Sequence, residues 1–478
     1  MGIEAGAHSS VDLTANGVTA VDLTALDLKQ LAADVVQKAM RAGATDAEVV
    51  IREGDEFSTV VRLGQVETLK ESGSRGMGLR VFFRASGGGQ RTASTSTSDF
   101  SPEGIAHLVS GAISLAGVTS EDPFAGLPED GAYGMLGGDL ALFYDDVYSL
   151  PTEDRIAYAR RAESAAMETD VRIQNSDGGS FDAATGHKVL ANSRGFVGEN
   201  RSSYCSVSAS PIAQEKEGGM QRDYWYSTAR TLARLESPES VGIEAARRAI
   251  RRLNGRRVAT QRVPVVFSPE MARSLIGNIF EAANGDSIYR GASFFTGKLG
   301  EKVAAGSINV IDDGTIPGGF GTSPFDGEGL PSRRTVIIED GVLKNFLLNT
   351  YTARKLNMHS TGNASRGLAG NPGIGPGNLF LEAGKLTPEE IIRDVKSGLY
   401  VTELMGFGVN MVTGDYSRGA TGLWIENGEL TYAVEEITIA GNLKNIFQNI
   451  AAIGNDLVFR GSVASPTLRV EGLTIAGS

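Results

Sequence analysis

Leu28, Leu31, Val35, Val36 and Met40 recur at helical spacing behind Asp27, a capping residue, and Gly43 follows the last turn, so a first helix starts at Asp27. The period then changes. AEVVIREG, FSTVVRLG, QVETLKESG, GMGLRVFFR and QRTASTSTS alternate apolar with polar positions and read as consecutive antiparallel strands divided by glycine-containing turns. Helical stripes return over 101–117, behind Ser101, Pro102 and Glu103, over 152–168, and over about 238–253. Between the last two, from 170 to about 232, long two-period segments predict extended hairpins.

From about 258 a short strand, VPVVF, leads into a capped helix, and the pattern beyond is almost wholly β. Asp340-Gly341 and Asn427-Gly428 stand between alternating apolar segments and predict two-residue hairpin turns. One more helix is expected from Thr387 to Ser397, where Thr387, Pro388, Glu389 and Glu390 supply a cap, an N1 proline and carboxylates that suit the helix dipole. The expected fold class is α+β. Residues 1–25, with VDLT at 11–14 and 21–24, read as a frayed tail, and 26–255 as an N-terminal helix plus antiparallel-sheet domain with subdomains about 26–118 and 140–255. A β-rich, barrel-like or sandwich domain is expected over 256–478.

Composition narrows the function classes. The 478 residues exceed one ordinary core, and 61 glycines fit a turn-rich β-protein. A net charge of −12 is the wrong sign for a protein that neutralises phosphates, so nucleic acid is excluded as a first reading. No apolar run approaches the roughly 18 residues of a membrane-spanning helix. Cys205 is the single cysteine, and no early basic residues precede an apolar stretch, so a reducing, cytoplasmic setting is expected. Arg247, Arg248, Arg251, Arg252, Arg256, Arg257 and Arg262 are expected to make intramolecular pairs or a solvated face.

Most catalytic signatures are missing. His8, His107, His187 and His359 are widely separated, and neither HExxH nor HExxxH occurs. GASFFTGKLG is one residue too long for a phosphate loop and has Leu299 where the magnesium-binding hydroxyl belongs. GxGxxG and GxSxG have no match; the nearest strings are GNASRG (362–367) and GDYSRG (414–419). The adjacent carboxylates Asp312/Asp313, Glu339/Asp340 and Glu435/Glu436 point to opposite strand faces and read as turn and rim residues. Asn363, Ser365 and Arg366, together with Asn410, Thr413, Asp415, Tyr416, Ser417 and Arg418 of the glycine-bordered stretch 406–422, are candidates for a peptide groove or an interface.

VNMVTGDYSRGATGLWIENGELTYAVEEITIAGNLKNIFQNIAAIGND (409–456) resembles the C-terminal signature of the TldD/PmbA family, and within it the PmbA (TldE) branch. ESGSRGMGLRVFF (71–83), VPVVFSPEMARSLIGNIFEAANGDSIYRGASFFTGKLGEKVA (263–304) and PTLRVEGLTIAG (466–477) extend the resemblance over roughly 28–477. It implies a cytoplasmic metalloprotease system acting on unfolded peptide, in peptide maturation or antitoxin turnover. There, TldD-type chains bind zinc through HExxxH and a later cysteine and associate with PmbA-type chains.

This chain departs from that pattern where the metal belongs. The segment equivalent to HExxxH is Ile276, Gly277, Asn278, Ile279, Phe280 and Glu281, and FRGSVASPTLRV (459–470) carries no cysteine. The resemblance therefore implies no zinc and no catalytic residue in this chain, with zinc expected in a TldD-type partner. Ile276, Ile279 and Phe280 are expected to be buried. Self-association as a dimer is the other partner expectation. The alternatives are a homo-oligomeric metallopeptidase with an unusual metal site including Glu281 and His359, and a peptide-binding scaffold.

Overall fold

The computed structural model describes residues 27–216 and 219–477, so the expected tail over 1–25 lies outside the described residues. The N-terminal part runs α1 (Leu28–Arg41), β1 (Asp46–Arg62), β2 (Gln65–Arg84), β3 (Gln90–Thr97), α2 (Pro102–Val118), α3 (Asp146–Ser149), α4 (Thr152–Glu168), β4 (Ile173–Asn192), β5 (Val197–Gln214), β6 (Met220–Arg222), β7 (Trp225–Ala229) and α5 (Pro238–Ile250). One seven-stranded antiparallel sheet spans all of it, in the order β3-β2-β1-β4-β5-β6 with β7 also on β5. Because β1 pairs with β4, the sheet is continuous through both expected subdomains. The α1 and α2 stripes bury Leu28, Val35, Val36, Leu108 and Val109 against Ile51, Leu79 and Val81, while α4 and α5 bury Ile156, Val241 and Ala245 with Phe181 and Val207.

Strand count is the first correction. AEVVIREG and FSTVVRLG form one strand of 17 residues, and QVETLKESG with GMGLRVFFR forms one of 20. The turn between them is Leu63-Gly64, both at positive φ (49° and 76°). Gly54 and Gly78 lie inside strands because another backbone approaches them: an added Cβ would fall 2.3 Å from Thr185 O at Gly54 and 1.5 Å from Leu368 O at Gly78.

The C-terminal part contains β8 (Gln261–Phe267), α6 (Pro269–Ala283), α7 (Gly285–Tyr289), β9 (Val310–Asp313), β10 (Arg334–Glu339), β11 (Val342–Leu343), α8 (Thr350–Leu356), β12 (Ala364–Ser365), β13 (Gly373–Ile374), β14 (Leu379–Leu381), α9 (Pro388–Arg393), β15 (Ser397–Met405), β16 (Asp415–Glu426), β17 (Glu429–Asn442), α10 (Leu443–Gln448), β18 (Ile450–Ile453), β19 (Val463–Ala464) and β20 (Leu468–Ala476). Strands β17-β16-β15-β8-β20 run side by side, and pairing of β20 with β17 closes them into a five-stranded barrel. A second sheet, β11-β10-β9-β14-β19, lies beside it.

Both predicted hairpin turns form, with positive φ at Asp340, Gly341, Asn427 and Gly428. Helix α9 is shorter than expected: it ends at Arg393, Val395 turns into the core, and Ser397 already begins β15.

Much of the arginine cluster makes contacts within the chain, although Nε of Arg248, Arg251 and Arg252 is buried without a hydrogen bond. Arg252 pairs with Glu403 at 2.7 Å, Arg257 with Glu436, Arg248 approaches Asp223 at 3.6 Å, and Arg256 stacks on Tyr432. Among the described residues no helix is long and apolar enough to cross a membrane.

Two glycine-to-alanine substitutions separate close approach from free space. Gly78→Ala, aimed at the Leu368 carbonyl, is expected to destabilise by about 2 kcal/mol or more. Gly277→Ala, on α6 with nothing within 4 Å of the new methyl, is expected to stabilise by about 0.5–1 kcal/mol. Urea unfolding of both variants checks this; shifts of the same sign would contradict it.

Candidate functional site

Loops of the C-terminal domain lie on the β1–β4 face of the N-terminal sheet. Arg52 on β1 donates to Arg366 O at 2.6 Å, and Lys188 on β4 donates to Asp326 O at 3.3 Å. Between the two domains is a cavity of about 310 Å³ whose lining includes Arg52, Lys188, Asp312, Asp326, Asn363 and Arg366. Arg52 and Lys188 are register partners across β1 and β4, so one wall carries two cations side by side.

A buried charge cluster supports that wall from behind. Glu48, fully buried on β1, has Oε1 2.5 Å from both Arg80 Nε on β2 and Arg366 Nη1. Burial acts to raise the Glu48 carboxyl, but the Arg366 and Arg80 charges overcome it and hold it below the usual carboxylate range.

Asp326 accepts the backbone N–H groups of Glu328, Leu330 and Ala364, which ties two loops together. Glu328 accepts from Thr350 N and Oγ1; burial, then the Asp326 charge, pushes it up to about 7. On the facing wall Asp312 Oδ2 accepts from Asn363 at 2.6 Å, no side chain donates to Oδ1, and burial pushes the carboxyl up to about 6 against the opposing pull of Asn363 and the Gly377 backbone N–H. Burial, then the Arg52 charge, lowers Lys188 to about 8.

The structure divides the predicted groove residues. Asn363, Ser365 and Arg366 line the cavity. Asn410, Thr413, Asp415, Tyr416, Ser417 and Arg418 do not, because they close their own loop onto the barrel. Thr413 Oγ1 donates to Asp415 Oδ2, Asn442 donates to Asp415 Oδ1, and Asn410 Oδ1 accepts from Val412 N and Thr413 N. Ser417 N donates to Gly408 O, Arg418 donates to Leu404 O, and Tyr416 is 1% exposed in the barrel core.

Asp312 corrects the reading of the adjacent carboxylates as rim residues: it is 1% exposed and lines the cavity, whereas Asp313 accepts from Thr315. Sequence reasoning also passed over Glu48, Arg52, Arg80, Lys188, Asp326 and Glu328. For Glu48 and Arg80 a signal existed, since each is a charge inside an apolar strand run, AEVV and GLRVFF. The others had none.

On α6, Ile276, Ile279 and Phe280 are buried, as expected, while Glu281 is exposed. This segment offers one carboxylate and no nitrogen or sulfur donor, which does not fit a zinc ion. His359 lines a separate groove with Phe124, Arg333 and Arg354, and Glu281 is not part of it. Among the described residues no group of three or more His, Cys, Asp or Glu side chains is placed to hold a metal.

Comparison with known proteins agrees with the resemblance seen in the sequence. Models of PmbA/TldA metallopeptidase domain 1, the central domain and the C-terminal domain match residues 47–116, 145–253 and 260–477. The chain is 38% identical to the metalloprotease PmbA of Escherichia coli O157:H7, covering 92% of this chain and 94% of that one. It is 35% identical to a PmbA homologue of Haemophilus influenzae over 95% and 96% of the two chains. The crystal structure of TldE from Thermococcus kodakarensis superposes with a TM-score of 0.84 over 94% of this chain and all of that one; at 21% identity this is likeness of fold.

Two outcomes follow from the buried charges. Glu48→Gln leaves Arg80 and Arg366 buried without an anion and is expected to cost about 3–5 kcal/mol in urea unfolding. Glu328 holds its proton to about pH 7 when folded, against an ordinary value of 4.5, so the unfolded chain binds fewer protons between these values and stability falls as pH rises through that window. Asp312 adds the same sign between 3.8 and about 6. Glu328→Gln is therefore expected to flatten the decline measured between about pH 5 and pH 8; an unchanged slope would rule out Glu328 as its source.

Proposed function

Since the chain belongs to the PmbA/TldD metallopeptidase family, we propose that it is a PmbA/TldE-type subunit of a zinc metalloprotease acting on unfolded peptide, and that it does not itself carry the catalytic zinc. The observation that supports this is the face of α6. A catalytic zinc needs about three protein ligands and an open position for water, and the segment equivalent to HExxxH presents buried Ile276, Ile279 and Phe280 instead.

The packing around α6 agrees. The helix lies against β19 and β14, and β19 belongs to the stretch 459–470 in which TldD-type chains carry their further ligand. Here that stretch has no cysteine, and Cys205 is buried on β5. The two segments meet through side chains that pack and do not chelate, so α6 contributes to the core of the C-terminal domain.

In this reading a TldD-type HExxxH subunit supplies the metal and the activated water, and this chain supplies walls and peptide contacts. The setting is cytoplasmic, and the substrates are unfolded peptides in maturation or turnover. The cavity between the sheet and the C-terminal loops is the peptide-contacting surface of the chain.

Purification of the chain alone is expected to give no stoichiometric zinc by elemental analysis and no peptidase activity. Co-expression with an HExxxH-containing relative is expected to give a stable complex that cleaves unfolded peptide. Stoichiometric metal together with peptide cleavage by the isolated chain would overturn the proposal.

A further inference from the structure

The cationic wall of the cavity makes no ion pair of its own among the described residues. Arg52 and Lys188 oppose each other in register across β1 and β4, and like charges directly opposed on one sheet face repel. Each gives a donor to a carbonyl, Arg366 O and Asp326 O respectively, and among the described residues neither is ion-paired with a carboxylate. Arg333, exposed in the lining, likewise donates to a carbonyl, Ser360 O. Glu48 is held between Arg80 and Arg366, and Asp326 accepts three backbone N–H groups, while Glu53 and Glu56 share an adjoining groove with Arg52 and Lys188 and do not line this cavity.

The facing wall has the complementary deficit. Asp312 is 1% exposed and lines the cavity, and its Oδ1 has no donor at full hydrogen-bond geometry, the Gly377 backbone N–H being a further influence on the carboxyl besides Asn363. Asn363 holds Oδ2, which fixes the carboxylate in place. A buried acceptor with no donor is costly, and Lys188, buried beside the Arg52 charge, is offset only in part by Asp326 and Glu48.

One ligand class answers both deficits: a group with a single negative charge beside an N–H. A phosphate dianion is disfavoured, because Asp312 and Asp326 stand in the same small cavity and repel it. We propose that the cavity binds a carboxylate of an extended peptide, at the C-terminus or on an acidic side chain, with Arg52 and Lys188 as the clamp and Asp312 accepting the adjoining N–H. This rests on the reading of the chain as a handler of unfolded peptide, but it requires neither a metal nor a second subunit.

Isothermal titration calorimetry on the full chain tests it with alanine tetrapeptide as the free acid, the same peptide as its C-terminal amide, and an amidated tetrapeptide holding one aspartate. The free acid, the aspartate peptide or both are expected to bind at least about tenfold more tightly than the uncharged amide, and which of them does identifies the source of the carboxylate. Lys188→Met is expected to abolish that difference without lowering the thermal midpoint. Should this variant not fold, Arg52→Gln, at an exposed position, is expected to do the same.

Equal affinity for acid and amide, no binding of any peptide at about 1 mM, or sulfate competing as strongly as the peptide (an adventitious ion only) would overturn the proposal. Cleavage of the peptides by the isolated chain would instead count against the non-catalytic reading and leave the carboxylate preference to be judged on the heats.

Discussion

Glu48 shares one carboxylate oxygen with two buried arginines, and the rest of the molecule is arranged around that contact. Arg80 belongs to the same sheet as Glu48, while Arg366 arrives from the C-terminal domain. Glu48 and Arg80 already pair within the N-terminal sheet, but the C-terminal domain cannot bury Arg366 alone, because desolvating a charge without its counter-charge costs several kcal/mol. The contact thus sets where the loop carrying Asn363, Ser365 and Arg366 lies on the β1–β4 face. The glycines of β2 serve the same end, since Gly78 leaves room for Leu368 where a side chain would collide with its carbonyl.

Once the loop is fixed, the cavity follows. Its two walls come from different domains: Arg52 and Lys188 stand on the sheet, and Asp312 on β9 lies among the C-terminal lining residues. Each wall is incomplete in hydrogen-bonding terms. The barrel half of the C-terminal domain has a different role. Its α6 buries Ile276, Ile279 and Phe280 in the domain core, and the loop 406–418 bonds mainly to itself and to the barrel, so neither region lines the cavity.

How much of this could be read beforehand varies with the range of the interaction. The helix stripes, the caps at Asp27 and Thr387 and the two-residue turns at Asp340-Gly341 and Asn427-Gly428 are legible because they depend on neighbouring residues alone. Strand lengths are not, since a glycine at a turn and one under a crossing backbone look identical in sequence; Gly54 reads as the first and is the second. Asp312 illustrates the same limit for the site. Its alternation correctly separates it from Asp313, but not which of the two faces water.

The sequence by itself determined the local elements, the family, and the absence of histidine or cysteine donors on α6, because periodicity, turn chemistry and ligand identity are properties of short stretches. Only the tertiary structure decided that Arg52 stands opposite Lys188, that Arg366 closes on Glu48, and that Asp312 is buried with an oxygen to spare. Charges acquire such roles from what surrounds and desolvates them, and here the surroundings come from strands and loops far apart in the chain.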